Sequence, residues 1–288
     1  MKKKVLITGS NGFTGRHLSL FFSAKPSVEL HHADHASPET PDSRFHACDV
    51  SKASSAVKLI ARTKPHEIYH LVGSYTNDYD TDYVSNVITT KNILDAVRAS
   101  GLKTRILLVG SSAEYGFPAH SNTAVAEHHP CNPVSVYGLM KLFQTALMRT
   151  YIRLYEMDIV VVRPFNLLGS GISERLFVGK MERDIARYKR GEIKKIITGD
   201  LSVERDYIDI KEAIKYYAAV MEKGECGEVY NVGSGRSVSL RKILLRMLRS
   251  AGLSFSVVKE KEHHTPGKIV VPKIFADMTK LKHVLKFP

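Results

Sequence analysis

Short apolar runs alternate with amphipathic stretches from the N-terminus to about residue 163. A short run rich in β-branched residues is typical of a strand buried on both faces, and apolar residues three or four apart are typical of a helix. Strand and helix at this spacing predict a parallel, doubly wound α/β sheet. The predicted strands lie around Val5, Val28, Phe45, Glu67 and Arg105, and the predicted helices cover 14–24, 51–62, 81–100 and 136–155.

Three glycines spaced three apart, Gly9, Gly12 and Gly15, directly follow the first predicted strand. Glycines let the backbone turn tightly and let a pyrophosphate approach closely, and the free N–H groups of the following helix then bind its negative charge. Such triplets also occur in ordinary loops. Their position between a strand and a helix is what favours dinucleotide binding here.

Polar or small residues end each of the predicted strands. Asp34 ends the second strand about 20 positions past the glycines, where a carboxylate accepts hydrogen bonds from the adenosine ribose. A helix or loop cap is its alternative role. Because a 2′-phosphate would meet like charge there, Asp34 favours NAD over NADP, although His35 beside it reduces that repulsion. Ligands bind at the carboxyl edge of such sheets, and five of these positions lie there: Gly9, Asp34, Asp49, Gly73 and Ser111.

After residue 163 the strand–helix pattern is less regular. The spacing there is that of a small lobe placed over the edge of the sheet. The sequence therefore predicts a Rossmann-type domain over residues 1–165 and a smaller α/β substrate-binding lobe, mainly over residues 166–288. In this second part we expect helices over 173–190, 210–223 and 240–251, and short strands near Ile196, Val229 and Val257.

The composition, 43% hydrophobic and 25% charged, is that of an ordinary globular protein. No apolar run approaches the length of a membrane span, and the one after residues 2–4 ends too early for a signal peptide. Cys48, Cys131 and Cys226 fit neither a disulfide framework nor a CxxC metal pair, so we expect a reducing, cytoplasmic location.

The formal net charge of +13 is the unusual feature of the composition. Nucleic acid, a membrane surface and an anionic small substrate all fit such a charge. The lysines and arginines are spread along the chain and do not form one basic arm with interleaved aromatic residues. An acidic substrate is therefore favoured over nucleic acid.

Tyr137 and Lys141 lie four residues apart on a predicted helix and so share one face. A tyrosine with an ordinary pKa near 10 is a poor acid–base catalyst at neutral pH, and an ammonium one turn away favours the phenolate and lowers that pKa. A half-buried tyrosine and a surface lysine at this spacing are also common in ordinary helices. The pair becomes informative together with the other motifs.

Taken in order, these motifs resemble the extended short-chain dehydrogenase/reductase family over nearly the whole chain. The matching segments are 8–15, 49–50, 70–71, 86, 110–116, 137–141, 163–166, 205–209 and 230–235. The resemblance implies an NAD(P)-dependent enzyme that acts on nucleotide sugars. Together with Asp34, the cofactor-binding residues that it implies are Gly9, Asn11, Gly12, Phe13, Thr14, Gly15, Asp49, Val50, Leu71, Val72, Gly73, Asn86, Tyr137 and Lys141.

The resemblance also implies a catalytic trio of Ser112, Tyr137 and Lys141, with Ser111 as the other candidate serine. Ser112 is preferred because it ends the Gly-Ser-Ser segment, where related reductases place the hydroxyl. Tyr137 would donate a proton to the sugar C4 oxygen as hydride arrives from the nicotinamide. Lys141 would bind the nicotinamide ribose.

Asn166 and Arg205 match positions that hold the substrate diphosphate in relatives, and an arginine suits that role because it binds phosphate bidentately. An ion pair with Asp206 or Asp209 is the alternative for Arg205. Relatives carry a further arginine where this chain has residues 263–268, so Lys268 or a histidine would replace it. The expected substrate-binding residues are Ser74, Ser112, Glu114, Asn166, Arg205 and Lys268.

Within the family, segments 105–116 and 204–240 are most similar to enzymes that reduce the 4-keto group of a GDP-linked 4-keto-6-deoxy sugar. A 4,6-dehydratase needs an acid–base carboxylate beside its catalytic hydroxyl. Here Ala113 stands where one such acid could lie, and Glu114 remains, so the sequence supports a dehydratase less well without excluding it. A 4-epimerase also stays open as an alternative. The alternative from a different functional class is a non-catalytic protein on the same fold that senses the cofactor or binds RNA. The net charge supports this alternative.

Two expectations concern partners and metals. Relatives often form homodimers through two long helices, here 81–100 and 136–155, with Ile152 and Leu154 as candidates for the seam. Adjacent histidines on a strand point to opposite faces, so the pairs at 128–129 and 263–264 predict no metal site.

Overall fold

The fold is described from a computed structural model that covers residues 2–37, 43–120, 122–261 and 269–285. Its strands are β1 Lys3–Thr8, β2 Val28–Asp34, β3 Phe45–Ala47, β4 Glu67–His70, β5 Arg105–Val109, β6 Ile159–Pro164, β7 Asn166–Leu168, β8 Ile196–Thr198, β9 Glu204–Asp209, β10 Val229–Val232, β11 Ser237–Ser239, β12 Val258–Glu260 and β13 Lys273–Ile274. Its α-helices are α1 Phe13–Ser23, α2 Ala53–Thr63, α3 Tyr79–Tyr83, α4 Thr89–Ser100, α5 Val136–Tyr155, α6 Phe177–Lys189, α7 Ile210–Lys223, α8 Leu240–Ser250 and α9 Thr279–Leu285.

Seven strands form one parallel sheet in the order β10-β6-β5-β4-β1-β2-β3. The chain order reverses beside β1, so the connections after β1 and β4 leave on opposite sides and open a crevice at the carboxyl edge. The expected doubly wound α/β fold is confirmed. The strand near Val229 was expected in the smaller lobe, but it pairs with β6 in this sheet, Val229 opposite Val161. The division of the chain at residue 165 stays a prediction.

Helices cover both faces of this sheet because its strands are apolar on both faces. Val5 and Ile7 of β1 pack into the cluster beneath α1 and α7, whereas Leu6 between them packs into the cluster beneath α2, α4 and α5. All three side chains are fully buried. Such a strand is stable only inside a three-layer arrangement, which leaves the strand ends as the places where a ligand can bind.

The smaller lobe contains a second sheet centred on β9, which pairs with β7, β11 and β13. β8 and β12 form a separate parallel pair, and Ile196 of β8 shares an apolar cluster with Met181 of α6 and Leu244 of α8. Asn166 begins β7 and Arg205 lies on β9. The smaller sheet thus positions both of the residues expected to hold a diphosphate.

One predicted helix has an unexpected irregularity. The helix expected over 81–100 begins at Tyr79 and contains a π-helical turn over Val84–Ile88 between α3 and α4. Apolar spacing does not show such a turn, and π-turns are frequent at functional sites. In the described part of the chain, no helix combines the length and apolar character needed to cross a membrane.

Candidate active site

The glycine-rich turn connects β1 to α1 where the strand order reverses. Gly9 has a φ of +75°, and its N–H donates to the Ala33 carbonyl of β2 at 2.8 Å. A Cβ on Gly15 would lie 2.3 Å from the Gly9 carbonyl oxygen, so a larger residue would push α1 away from β1. Phe13 and Thr14 form the first turn of α1, whose unpaired N–H groups suit a pyrophosphate.

Asp34 lies at the end of β2 beside this turn. Its side chain is largely buried, with 8% of the residue exposed. One carboxylate oxygen accepts from the Asn11 N–H at 2.9 Å, and the other lies 3.0 Å from His35 Nδ1. The Asn11 side chain in turn donates to the Ala36 carbonyl at 2.7 Å. These contacts fix the carboxylate at the mouth of the crevice.

A cleft of about 460 Å³ joins these residues to the loops that follow β3 and β4. Most of the predicted cofactor residues line it, namely Gly9, Asn11, Gly12, Asp34, Asp49, Val50, Leu71, Val72 and Gly73. Sequence reasoning missed other lining residues, among them Ser51, Val84, Ser85 and Thr89. Val84 and Ser85 reach the cleft through the π-turn, which explains why helical spacing did not indicate them.

Hydrogen bonds hold Asp49 and Val50 at the edge of the cleft. Asp49 Oδ1 accepts from the Ser51 hydroxyl at 2.6 Å and from the Ser51 N–H at 3.0 Å, and these bonds lower the pKa of Asp49. Asn92 of α4 donates to the carbonyls of Val50 and Ser51 at 3.0 and 2.7 Å. Asn92 is a supporting residue that the sequence did not reveal, since it lies some 40 positions from the loop that it holds.

Asn86 and Lys141 meet beneath Gly73. Asn86 is fully buried, and its side-chain amide donates to the carbonyls of Asp82 and Ser74 at 2.8 and 3.1 Å. A Cβ on Gly73 would lie 2.6 Å from Asn86 Oδ1 and 3.1 Å from Lys141 Nζ. Asn86 Oδ1 has no hydrogen-bond partner among the residues that the structure describes. This buried acceptor lies against Gly73, which lines the cleft, and a hydrogen-bond donor of a bound cofactor would suit it.

Lys141 is tied to the sheet and not to the phenol of Tyr137. Its Nζ donates to the Val109 carbonyl at 2.9 Å and to Gln144 Oε1 at 3.1 Å, and it lies 5.9 Å from the centre of the Tyr137 ring. Burial lowers the pKa of Lys141 to about 8.

Tyr137 lies in the first turn of α5, which Ser135 caps by accepting the Gly138 N–H at 3.1 Å. Burial raises the pKa of Tyr137 to about 12, although a hydrogen bond with the Ser111 side chain opposes this shift. The expectation that Lys141 lowers the pKa of this phenol is therefore corrected. Burial has the larger effect, and the ammonium group is directed to other acceptors.

Ser111, and not Ser112, is the serine that interacts with Tyr137. Ser111 is buried at the end of β5, and its Oγ accepts from the Ala113 N–H at 3.1 Å. Ser112 instead begins the 3₁₀ turn Ser112–Glu114. Ser111 is therefore the hydroxyl that we propose for the trio, and the preference for Ser112 stays a prediction.

Glu114 lies behind the site and not in it. Its side chain is fully buried, and its Oε2 lies 2.8 Å from Arg163 Nη2 and accepts from the Thr145 hydroxyl at 2.8 Å. Its Oε1 accepts from the Ser111 N–H at 2.9 Å. Burial raises the pKa of Glu114, and the Arg163 charge opposes that shift. Both oxygens are engaged away from solvent, so the expected contact of Glu114 with substrate is corrected.

Arg205 is partly buried without a matched anion. Its Nη1 donates to the Glu204 carbonyl at 2.8 Å, and burial lowers the pKa of its guanidinium. Among the described residues, no carboxylate forms an ion pair with it. Asp206 accepts instead from the N–H groups of Ser234 and Gly235, and Asp209 caps α7. The structure therefore shows no ion pair of Arg205 with Asp206 or Asp209, which was the alternative role for this arginine.

The remaining predicted substrate residues have local partners. Asn166 Nδ2 donates to the Asp206 carbonyl at 3.0 Å, and the Ser74 hydroxyl donates to Asp82 at 2.7 Å. Lys268 and the pair at 263–264 lie outside the described residues. Inside them, no group of three histidine, cysteine or acidic side chains converges in a way that could hold a metal ion.

The parallel sheet, the glycine-rich turn and the crevice between them define a dinucleotide-binding protein of the Rossmann type. The chain belongs to the NAD dependent epimerase/dehydratase family, whose sequence profile matches residues 5–233. The resemblance to extended short-chain dehydrogenases/reductases is confirmed, and the protein is an NAD(P)-dependent nucleotide-sugar enzyme.

Named relatives share this organisation. GDP-6-deoxy-D-mannose reductase from Pseudomonas aeruginosa is 28% identical over 269 residues, which cover 90% of this chain and 84% of that protein. dTDP-6-deoxy-L-talose 4-dehydrogenase (NAD(P)(+)) from Kitasatospora kifunensis is 26% identical, with 89% and 81% covered. The structure of RMD from Pseudomonas aeruginosa complexed with NADPH superposes with a TM-score of 0.86 at 24% identity, over 99% of this chain and 93% of that one.

Proposed function

We propose that this protein reduces the 4-keto group of a GDP-linked 4-keto-6-deoxy sugar. The observation that carries the proposal is a proton-donating pair, Tyr137 and Ser111, with no available carboxylate beside it among the described residues. The two carboxylates that act electrostatically on the Tyr137 phenol are Glu114 and Asp82. Both are fully buried. Glu114 pairs with Arg163, and Asp82 accepts hydrogen bonds from the loop that follows β4. Removal of water after oxidation at C4 needs such an acid–base group, so this arrangement disfavours a 4,6-dehydratase.

Reduction of a ketone needs one proton and one hydride. The bound nicotinamide cofactor supplies the hydride. The Tyr137 phenol carries a proton at neutral pH and would donate it to the oxygen that becomes negative at C4. The Ser111 hydroxyl, which interacts with the same phenol, orients the carbonyl oxygen. Lys141, buried beneath Gly73, would bind the ribose of the nicotinamide cofactor.

The charge and shape of the smaller lobe support a nucleoside diphosphate as the carrier of the sugar. Arg205 offers a guanidinium without an anionic partner among the described residues. A diphosphate would supply two phosphate groups to pair with it. Tyr207, two residues along β9, acts electrostatically on Arg205, and both Tyr207 and Phe177 of α6 pack against the apolar cluster around Ile243. Phe177 also lines an apolar cleft of about 340 Å³ in which the buried Thr198 hydroxyl lacks a partner among the described residues. A flat base with a hydrogen-bonding edge fits that cleft.

GDP as the nucleotide, NAD as the cofactor and a homodimer as the assembly are parts of this proposal. GDP follows from the likeness to the Pseudomonas aeruginosa enzyme at 28% identity. NAD follows from the fixed Asp34 carboxylate, which would repel a 2′-phosphate. The homodimer is supported by exposed apolar residues on α5, since Leu154 is 61% exposed. Ile152 packs partly into the core and is the weaker seam candidate. The unpaired cysteines fit a cytoplasmic location.

An assay with GDP-4-keto-6-deoxymannose tests the proposal. We expect oxidation of NADH, and more slowly of NADPH, in proportion to the sugar reduced, and loss of this activity in Tyr137→Phe with the cofactor dissociation constant unchanged. Asp34→Asn should reduce the preference for NADH over NADPH. Exchange of sugar stereochemistry without net cofactor oxidation would identify a 4-epimerase instead. RNA binding that weakens steeply with salt, with no affinity for nucleotide sugars, would support the non-catalytic alternative.

A further inference from the structure

The loop that follows β4 is unusually well fixed for an exposed segment. Asp82 of α3, itself fully buried, accepts from the Ser74 hydroxyl at 2.7 Å, from the Thr76 N–H and hydroxyl at 3.0 and 2.8 Å, and from the Asn77 N–H at 2.9 Å. Asn77 adopts a left-handed conformation with a φ of +59°. The carboxylate therefore accepts hydrogen bonds from four donors of the loop and holds the loop in this shape.

This loop presents an aromatic ring, Tyr75, to the outside. Tyr75 is 43% exposed although it is the bulkiest side chain of the loop. Its ring meets the ring of Tyr137 edge to face, with 5.0 Å between centroids and a 90° angle between planes. This exposed ring thus lies next to the proposed proton donor.

Tyr75 is within electrostatic range of the expected diphosphate site as well as in contact with Tyr137. It interacts electrostatically with the Arg205 guanidinium as well as with the Tyr137 phenol. In a nucleotide sugar, the reacting C4 and the diphosphate-bearing C1 are at opposite ends of one pyranose ring. A ring that contacts Tyr137 and also acts on Arg205 is therefore suited to adjoin the sugar itself.

We propose that the ring of Tyr75 is a sugar-binding platform that packs against the C–H face of the hexose and presents C4 to Tyr137. This inference rests on the proposed function, because it needs a nucleotide sugar between Tyr137 and Arg205. The aromatic face supplies apolar contact, and the hydroxyl is not needed for it. A side chain with two torsions, held by the Asp82-bound loop, loses little conformational entropy when the sugar binds.

Calorimetric titration of the full chain with GDP and with GDP-mannose tests the platform. We expect Tyr75→Ala to weaken GDP-mannose binding about tenfold and to leave the affinity for GDP unchanged. Tyr75→Phe should bind both as the wild type does. The matched control is Tyr79→Ala, which removes another exposed tyrosine, stacked on Tyr83 of the same helix, and should alter neither affinity.

Each other outcome overturns a defined part of the account. Unchanged GDP-mannose affinity in Tyr75→Ala, or equal weakening of GDP and GDP-mannose, would show that the ring does not contact the sugar. Loss of binding in Tyr75→Phe would assign the role to the hydroxyl and contradict the platform. A wild-type protein that binds none of GDP, GDP-mannose, dTDP or dTDP-glucose would contradict the proposed function itself and the platform with it. The same titration thus separates the two failures.

Discussion

Arg163 and Glu114 form a buried ion pair, with 2.8 Å between Nη2 and Oε2 and neither side chain more than 1% exposed. Arg163 comes from β6, and Glu114 ends the turn that begins after Ser111. The guanidinium also lies over the Tyr115 ring, 4.8 Å from its centre. The buried pair therefore fixes the turn that holds Ser111 near Tyr137.

Removal of the Glu114 charge should destabilise the protein strongly. Glu114→Gln leaves the Arg163 guanidinium buried without a counter-charge, so we expect the free energy of unfolding to fall by about 3 kcal/mol in denaturant titrations. Lys91→Gln breaks an exposed pair with Asp95 of the same helix and should cost about 0.5 kcal/mol. An equal loss of unfolding free energy in the two variants would show that the buried pair stabilises the protein no more than the exposed pair does.

The two neighbouring serines should differ in their effect on turnover. Ser111→Ala removes the hydroxyl that interacts with Tyr137, and we expect kcat to fall about a hundredfold with little change in cofactor affinity. Ser112→Ala should reduce kcat by less than about threefold, because its hydroxyl does not act on the phenol. Steady-state kinetics of both variants decide the assignment. If the larger loss falls on Ser112→Ala, the assignment to Ser111 is wrong.

Gly15 should tolerate no side chain. In Gly15→Ala the added Cβ meets backbone atoms of Gly9 and Ser10, which cannot move without shifting α1 from β1. We expect at least a tenfold loss of NADH affinity, measured by fluorescence titration, together with a lower melting temperature. Gly199→Ala is the matched control, since its Cβ would enter open space. Normal NADH binding by Gly15→Ala would contradict the role assigned to this turn.

His70 should make the protein sensitive to acid. It is fully buried with Nδ1 2.8 Å from the Thr8 hydroxyl, and burial lowers the pKa of His70 to about 3. The unfolded chain takes up this proton near pH 6.5 and the folded chain does not, so stability is present above pH 6.5 and is lost as the pH falls toward 3.

Between pH 7 and pH 5 this one group should lower the free energy of unfolding by about 2 kcal/mol. Denaturant titrations at the two pH values measure the loss. His70→Gln should remove that part of the pH dependence, whatever its effect at pH 7, and His128→Gln at an exposed position should retain it. An unchanged pH dependence in His70→Gln would contradict the burial argument.

The sequence predicts this fold well because the signals are local. The continuous apolar run in β1 and the glycines after it depend on neighbours a few positions away, and the structure places both as expected. The partner of Glu114 lies 49 positions further along the chain, so its acidic character alone suggested a substrate contact. The choice between Ser111 and Ser112 depends on how the backbone turns after β5. Tyr75 shares no motif with Tyr137, and only the folded loop brings the two rings together.

Hydride transfer from cofactor to sugar is the central claim, and an isotope experiment tests it directly. GDP-4-keto-6-deoxymannose is incubated with NADH that carries deuterium at the transferable position, and the product is analysed by NMR and mass spectrometry. The account predicts one deuterium at C4 of the reduced sugar for the wild type and none for Tyr137→Phe. A product without deuterium at C4, or full incorporation by Tyr137→Phe, would contradict the account.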